Sequence, residues 1–190
     1  NPYIKMSDCS QVSDGAAALV LVSEEGLKAL GLTEADVVEV AGVGHSVASL
    51  YTDGDLTQLT TTANAVSKAY AAAGIGASNV DIAEVHDCFT VTELMMIEAL
   101  GLAQPGGGAS LTAAGGTAID GDVPVNTGGG LIGFGHPVGA TGVKQPLEIF
   151  RQMKGRCGDY QVSKPMTWGV TANMGGDDKT VVSLAIRNLS

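Results

Sequence analysis

The chain's 190 residues suffice for one good-sized domain with a real core, and 45% hydrophobic against 16% charged residues excludes a disordered chain. A formal net charge of -10 excludes non-specific nucleic-acid binding, which needs a basic face. Cys9, Cys88 and Cys157 are widely spaced and form no C-x-x-C, which excludes a disulfide framework and a zinc knuckle and points to a reducing, cytosol-like compartment.

The chain opens Asn1-Pro2-Tyr3 without a methionine and reads as a piece of something longer. It shows no signal peptide, no apolar run long enough to span a membrane, and no peroxisomal address at its end. Ala16 to Ser23 is a short apolar run after Asp14-Gly15, expected as a buried strand. Ser23-Glu24-Glu25 then resembles an N-cap with acids in the first turn, and Gly31 the helix stop. Val37 to Val47, β-branched and interrupted by glycines, predicts a second strand. Thr60 to Ala73 is Ala-rich with Gly74 just beyond, a helix.

Ile82 to His86 predicts a short strand. Thr90-x-x-Glu93 has the form of a capping box, opening a helix that runs to Leu100 and stops at Gly101. Gln104 to Gly116 is a Gly/Ala loop, and Gly128 to Gly135 a second glycine-rich stretch. A helix is expected from near Val138 to Met153, with Pro146 kinking it or shifting its start. Thr167–Asn173 and Thr180–Arg187 predict two final strands joined by a tight turn through Met174-Gly175-Gly176-Asp177-Asp178. Strands alternating with helices imply an α/β layered fold with a mostly parallel sheet closed by an antiparallel edge pair. Residues 1–190 form one domain with no repeat and no linker.

Two loops carry the chemistry. His86-Asp87-Cys88 follows a strand and precedes a helix, where open α/β sheets place reactive residues. The partial positive charge of the helix start is expected to lower the Cys88 thiol pKa. The tripeptide alone fits a buried structural cysteine beside a hydrogen-bonded histidine equally well. His136 lies among Gly133, Gly135, Gly139 and Gly142, with Pro137 suited to a first helical position. A histidine at a helix N-terminus stays neutral near physiological pH and serves as base or hydrogen-bond donor. Taken alone, this segment equally fits a Gly-rich helix start with a satisfied histidine. A phosphate-cradling loop lacks the Lys-Ser/Thr that it needs here. Asn173-Met174-Gly175-Gly176 offers amides for an oxyanion, although its local sequence is that of an ordinary hairpin. His45 has no partner motif and reads as structural or at a pocket rim. His86, Cys88 and His136 show no metal-site spacing, so no metal is expected.

In combination and in order, these segments resemble the C-terminal half of a thiolase, of the sterol-carrier-protein type and its bacterial and archaeal relatives. Ser13-Asp14-Gly15-Ala16-Ala17-Ala18 resembles the opening strand of that half. His86-Asp87-Cys88-Phe89 resembles the HDCF motif of the subgroup, where most thiolases carry NEAF. Gly135-His136-Pro137 before GATG is similar to the GHP motif. Asn173-x-Gly175-Gly176 falls where most thiolases have a C-x-G loop. The resemblance implies a five-stranded mixed sheet with helices on both faces, and an acyltransferase of lipid metabolism that makes or thiolytically cleaves 3-ketoacyl-CoA. A coenzyme A thioester would be the substrate, with no bound cofactor. It also implies the roles. His136 would activate a nucleophilic cysteine and help to stabilise the thioester oxygen. His86 would help form the enolate oxyanion hole through a water, Cys88 would move the α-proton in place of the C-x-G cysteine, and the Gly175 amide would donate to a second oxyanion hole.

The acyl-accepting cysteine of the family belongs to an N-terminal half, and neither Cys9 nor Cys157 matches its motif. The chain alone is therefore expected to be inactive, to partner the missing half in a cytoplasmic homo-oligomer such as a dimer, and to expose an apolar face that drives self-association. Most residues that bind coenzyme A are expected to be missing with that half. Two other readings stay open: a thiolase-like lyase that acts with a partner protein by retro-aldol cleavage, and a non-catalytic interaction module.

Overall fold

A computed structural model describes residues 2–51 and 54–190. A four-stranded mixed sheet in the order β1-β4-β3-β2 organises the chain. The strands are β1 (Val38–Val47), β2 (Ile82–Val85), β3 (Trp168–Gly175) and β4 (Thr180–Asn188). Only β2 and β3 are parallel; β1–β4 and β3–β4 are antiparallel. The expectation of a mostly parallel sheet is thus corrected. The β3–β4 hairpin lies inside the sheet because β1 returns to pair with β4, so two of the three ladders are antiparallel.

The expected fifth strand is also corrected. Beyond β2, pairing shrinks to a single parallel bridge, Ala83 to Val125. Ala16–Ser23 forms no strand, and Val20 and Leu21 are 85% and 81% exposed. An apolar run signals a need for burial but does not name the surface that supplies it. A single strand without a neighbour has no ladder to stabilise it.

Helices cover both faces, as expected. On one face α2 (Thr60–Ala73) and α3 (Thr90–Ala99) enclose a core of Val66, Tyr70, Val85, Met96, Ile97 and Val170 among others. On the other, α6 (Thr141–Met153), preceded in the chain by the short helices α4 (Gly108–Ala113) and α5 (Gly130–Phe134), sets Ile149 and Met153 against Ile82 and Ile186. The two-residue period of a strand divides β2 accordingly: Ala83 and Val85 face the first core, Ile82 and Glu84 the second. The first helix, α1 (Glu24–Leu30), is capped as predicted by the Ser23 hydroxyl and by Gly31 in the left-handed region at φ 67. None of its residues is buried.

The glycines of β1 reflect how closely α2 lies on it. A Cβ at Gly44 would sit 1.8 Å from the Ala65 carbonyl oxygen, so only glycine admits the helix backbone at this crossing. The turn after β3 has a second task. The Asp178 carboxylate accepts from the Thr61 and Thr62 amides at 2.8 and 2.9 Å and from the Thr62 hydroxyl at 2.6 Å. It caps α2 from 116 residues away in sequence. Asp178→Ala is therefore expected to destabilise the fold by about 1–2 kcal/mol, lowering the Tm by roughly 3–6 °C. Thermal unfolding followed by circular dichroism checks this. Among the described residues, no helix is long and apolar enough to cross a membrane.

Candidate active site

The site forms where β2 and β3 end side by side. The His86 amide continues the parallel ladder by donating to the Ala172 carbonyl at 3.0 Å. Asn173 follows on β3, and its side-chain oxygen lies 2.9 Å from His86 Nδ1. With that oxygen facing it, Nδ1 donates and Nε2 keeps its lone pair. Burial of His86 holds its pKa below the ordinary imidazole value, so the ring is neutral.

His136 enters from the other side. Its ring meets that of His86 edge-on, with centroids 5.0 Å apart. Its Nδ1 lies 3.0 Å from the Ser10 hydroxyl, and its amide donates to the Ser13 hydroxyl at 3.0 Å. Its Nε2 is buried with no hydrogen-bond partner among the described residues. The N-terminal arm thus ties the two loops together: Ser10 N donates to the Cys88 carbonyl at 2.9 Å, and Val12 bridges to His136. The helix after His136 starts at Thr141 rather than near Val138, because the Ala140 and Thr141 amides turn back to the Pro137 carbonyl at 2.8 and 3.1 Å.

Cys88 sits on the loop between His86 and α3, half-buried, with its thiol 3.7 Å from the Thr92 hydroxyl. Burial raises its pKa above that of an ordinary thiol. The expected lowering by the helix start is therefore corrected, since desolvation outweighs the partial charge there. The capping box is corrected too. Phe89 is the N-cap of α3 and makes no side-chain cap, while the Glu93 carboxylate turns to Asn126 Nδ2 at 2.7 Å.

Gly175 ends β3 two residues beyond Asn173 and, by strand alternation, on the same face. His86, His136 and Asn173 are in direct contact, Cys88 shares their loop, and Gly175 is placed by strand register rather than by contact. His45 lies apart on β1, 3.5 Å from the Thr180 hydroxyl. Cys9 pairs by backbone with Phe89, and Cys157 is buried 3.6 Å from Glu148. All three cysteines are free. Among the described residues, no group of three or more His, Cys, Asp or Glu side chains is placed to hold a metal ion.

Four residues of the site have roles that their local sequence does not reveal. Ser10 and Ser13 contact His136 across more than a hundred residues. Asn126 accepts from the Val85 amide at 2.9 Å and supports the end of β2. Asp87 is buried and accepts from the Leu131 and Ile132 amides.

Next to the His136 loop lies a cleft of about 150 Å³ lined by Ser13, Glu84, Pro137 and Lys144 among others. Lys144 stands 3.8 Å from both Glu84 and Glu148, yet burial pushes Glu84 up to about 8. A carboxyl with a raised folded pKa contributes stability below its unfolded pKa, and that contribution is lost as pH rises through the folded value. Glu84→Gln is expected to raise the Tm more at pH above about 8 than in mild acid, with Lys144 still paired to Glu148. Melting curves across pH test this sign.

The protein is thus of the α/β class, with a histidine pair and a thiol on loops gathered beside the ends of β2 and β3. Residues 42–185 match the family model described as thiolase C-terminal domain-like, and the chain belongs to this family. It is 37% identical over 177 residues to an acetyl-CoA acetyltransferase of Methanothermobacter thermautotrophicus, covering 93% of this chain and 46% of the relative. It is also 37% identical over 164 residues to sterol carrier protein 2 of Rattus norvegicus, covering 84% of this chain and 30% of the relative. The chain spans about half the length or less of these relatives. Among solved structures, the Bacillus anthracis acetyl-CoA acetyltransferase shares the fold with a TM-score of 0.66 at 21% identity, over 95% of this chain and 37% of that one. An Ltp2-ChsH2(DUF35) aldolase shares it with a TM-score of 0.66 at 22% identity, over 77% of this chain and 38% of that one.

Proposed function

We propose that this chain supplies the acid/base side of an acyl-CoA thiolase site, whose nucleophilic cysteine lies on polypeptide outside it. The observation that carries this reading is the His86–His136 pair at 5.0 Å, with His136 Nε2 buried and unpartnered and Cys88 on the same loop as His86.

In the cleavage direction, His136 Nε2 takes the proton of the external thiol, and the thiolate attacks the keto carbon of a 3-ketoacyl-CoA. The bond between the α-carbon and the keto carbon breaks, and its electron pair passes into the enolate of the departing acetyl-CoA. Cys88, held protonated by its burial, donates its proton to the α-carbon. Free coenzyme A then attacks the acyl-enzyme, its thiol proton returns to Cys88, and His136 gives its proton back to the leaving cysteine. A water donated to His86 Nε2 turns its second hydrogen to the enolate oxygen, while the Gly175 amide serves the other oxyanion. Condensation runs the same steps in reverse. The reaction needs no resident cofactor, and coenzyme A enters only as thioester or thiol. The free cysteines fit a cytoplasmic setting, and the exposed residues Val20 and Leu21 fit a face covered by the other half or by a homodimer.

The test is activity. The full-length protein is expected to cleave acetoacetyl-CoA in the presence of coenzyme A, and the purified chain alone is not. Turnover by the chain alone would contradict an external nucleophile. Light scattering is expected to show the chain alone self-associated; a clean monomer would count against the covered face. The fold shared with an aldolase keeps a lyase subunit with a partner protein as the second reading. A cysteine at the nucleophile position of the remaining polypeptide favours the first reading, and its absence favours the second. An interaction module without catalysis predicts instead that His136→Ala changes no activity.

A further inference from the structure

We propose that Asp87 is a positioning residue that sets the His86–Cys88 loop against the His136 loop; the catalytic part of this inference rests on the function proposed above. Asp87 stands between His86 and Cys88 and is 3% exposed. Its carboxylate crosses to α5, accepting from the Leu131 amide at 2.7 Å and from the Ile132 amide at 3.4 Å. Those amides belong to the first turn of α5, where unpaired N–H groups favour a negative charge. Only Gly135 separates the end of α5 from His136. One carboxylate therefore fixes the loop bearing one histidine and the thiol to the helix that delivers the other histidine.

Gly130 shows how tight this brace is. It has φ 57, and a Cβ there would lie 2.3 Å from Asp87 Oδ2. The carboxylate occupies the space that any other residue at position 130 would fill.

The charge of Asp87 is also felt by the thiol. It adds to burial in raising the Cys88 pKa. The other titratable groups coupled to this carboxylate are His86 beside it, Glu84 on β2 and Glu93 on α3, and His136 faces His86 across the site.

The experiment uses the full-length protein with Asp87→Asn, Asp87→Ala and Gly130→Ala. Asn keeps an acceptor for Leu131 without the charge. Ala removes both, and Gly130→Ala displaces an intact carboxylate. Ala at either position is expected to lower kcat about ten- to hundredfold with KM within about twofold, because substrate binding is left in place. Asn is expected to fall between wild type and Asp87→Ala. Alkylation of Cys88 by iodoacetamide at fixed pH is expected to be faster in Asp87→Asn than in wild type, because loss of the charge raises the thiolate fraction. Unchanged kcat and unchanged alkylation in a folded Asp87→Asn protein would overturn the proposal, as would a change in KM alone. The alkylation readout needs no turnover, so an inactive wild-type protein would sink the thiolase reading while this test still stands.

Discussion

Cys88→Ala in the full-length protein is expected to reduce carbon–carbon bond cleavage and formation by about 10²–10⁴-fold, while acylation of the nucleophile by acetyl-CoA proceeds. The split follows from the place of the thiol. Cys88 sits on the β2–α3 loop beside His86, whereas His136 Nε2 is the unpartnered base left for an incoming thiol. The α-proton step needs Cys88, whereas coenzyme A can leave acetyl-CoA as a thiolate without the Cys88 proton, so acylation depends on it far less. Its raised pKa also sets a pH dependence. As proton donor in cleavage it works while protonated, so its alkaline limb should lie above that of an ordinary thiol. As base in condensation it must first be deprotonated, so the condensation rate should rise with pH across the same range. Rate profiles measured in both directions check the two opposite slopes. Loss of acylation together with cleavage in Cys88→Ala would contradict the role of proton shuttle.

His136→Ala is expected to act earlier and more broadly. It removes the base for the nucleophile and the donor near the thioester oxygen together, so acylation itself should fall about 10²–10⁴-fold. Ser10→Ala takes away only the partner of Nδ1. It leaves the ring in place but loosely oriented, and about a tenfold loss is expected. Single-turnover acylation measured for both variants separates loss of the base from loss of its orientation. Equal losses would mean that the Ser10 contact carries more than orientation.

The sequence foretold the elements that stabilise themselves locally. Helix α2 has its Ala-rich stretch and Gly74 stop, and strands β1, β3 and β4 have β-branched runs. What could not be foretold was pairing at a distance. Ala16–Ser23 has the composition of a buried strand, yet the described residues offer it no neighbour. The order of the sheet turned on β1 returning to β4, a choice that no local pattern encodes.

The site divides the same way. His86, Cys88 and His136 were legible because each sits at a loop before a helix with unusual neighbours, and the structure brings the two histidines into contact. Asp87 lay in full view between two of them, but its partners are amides more than forty residues on. The contacts of Ser10 and Ser13 with His136 were not legible because a serine in an arm before the first helix carries no local signal of a partner more than a hundred residues away. The direction of the Cys88 pKa shift was misread for a physical reason: sequence shows the helix start, whereas burial depends on packing from α3 and from the N-terminal arm.

The most direct measurement is to incubate the full-length protein with acetyl-CoA labelled in its acetyl group and to map the label by peptide analysis. The label should be held as a thioester on a cysteine outside these 190 residues, should persist in Cys88→Ala, and should be nearly lost in His136→Ala. Label found on Cys88 would contradict the central claim that this chain carries the proton-transfer side of the site and not its nucleophile.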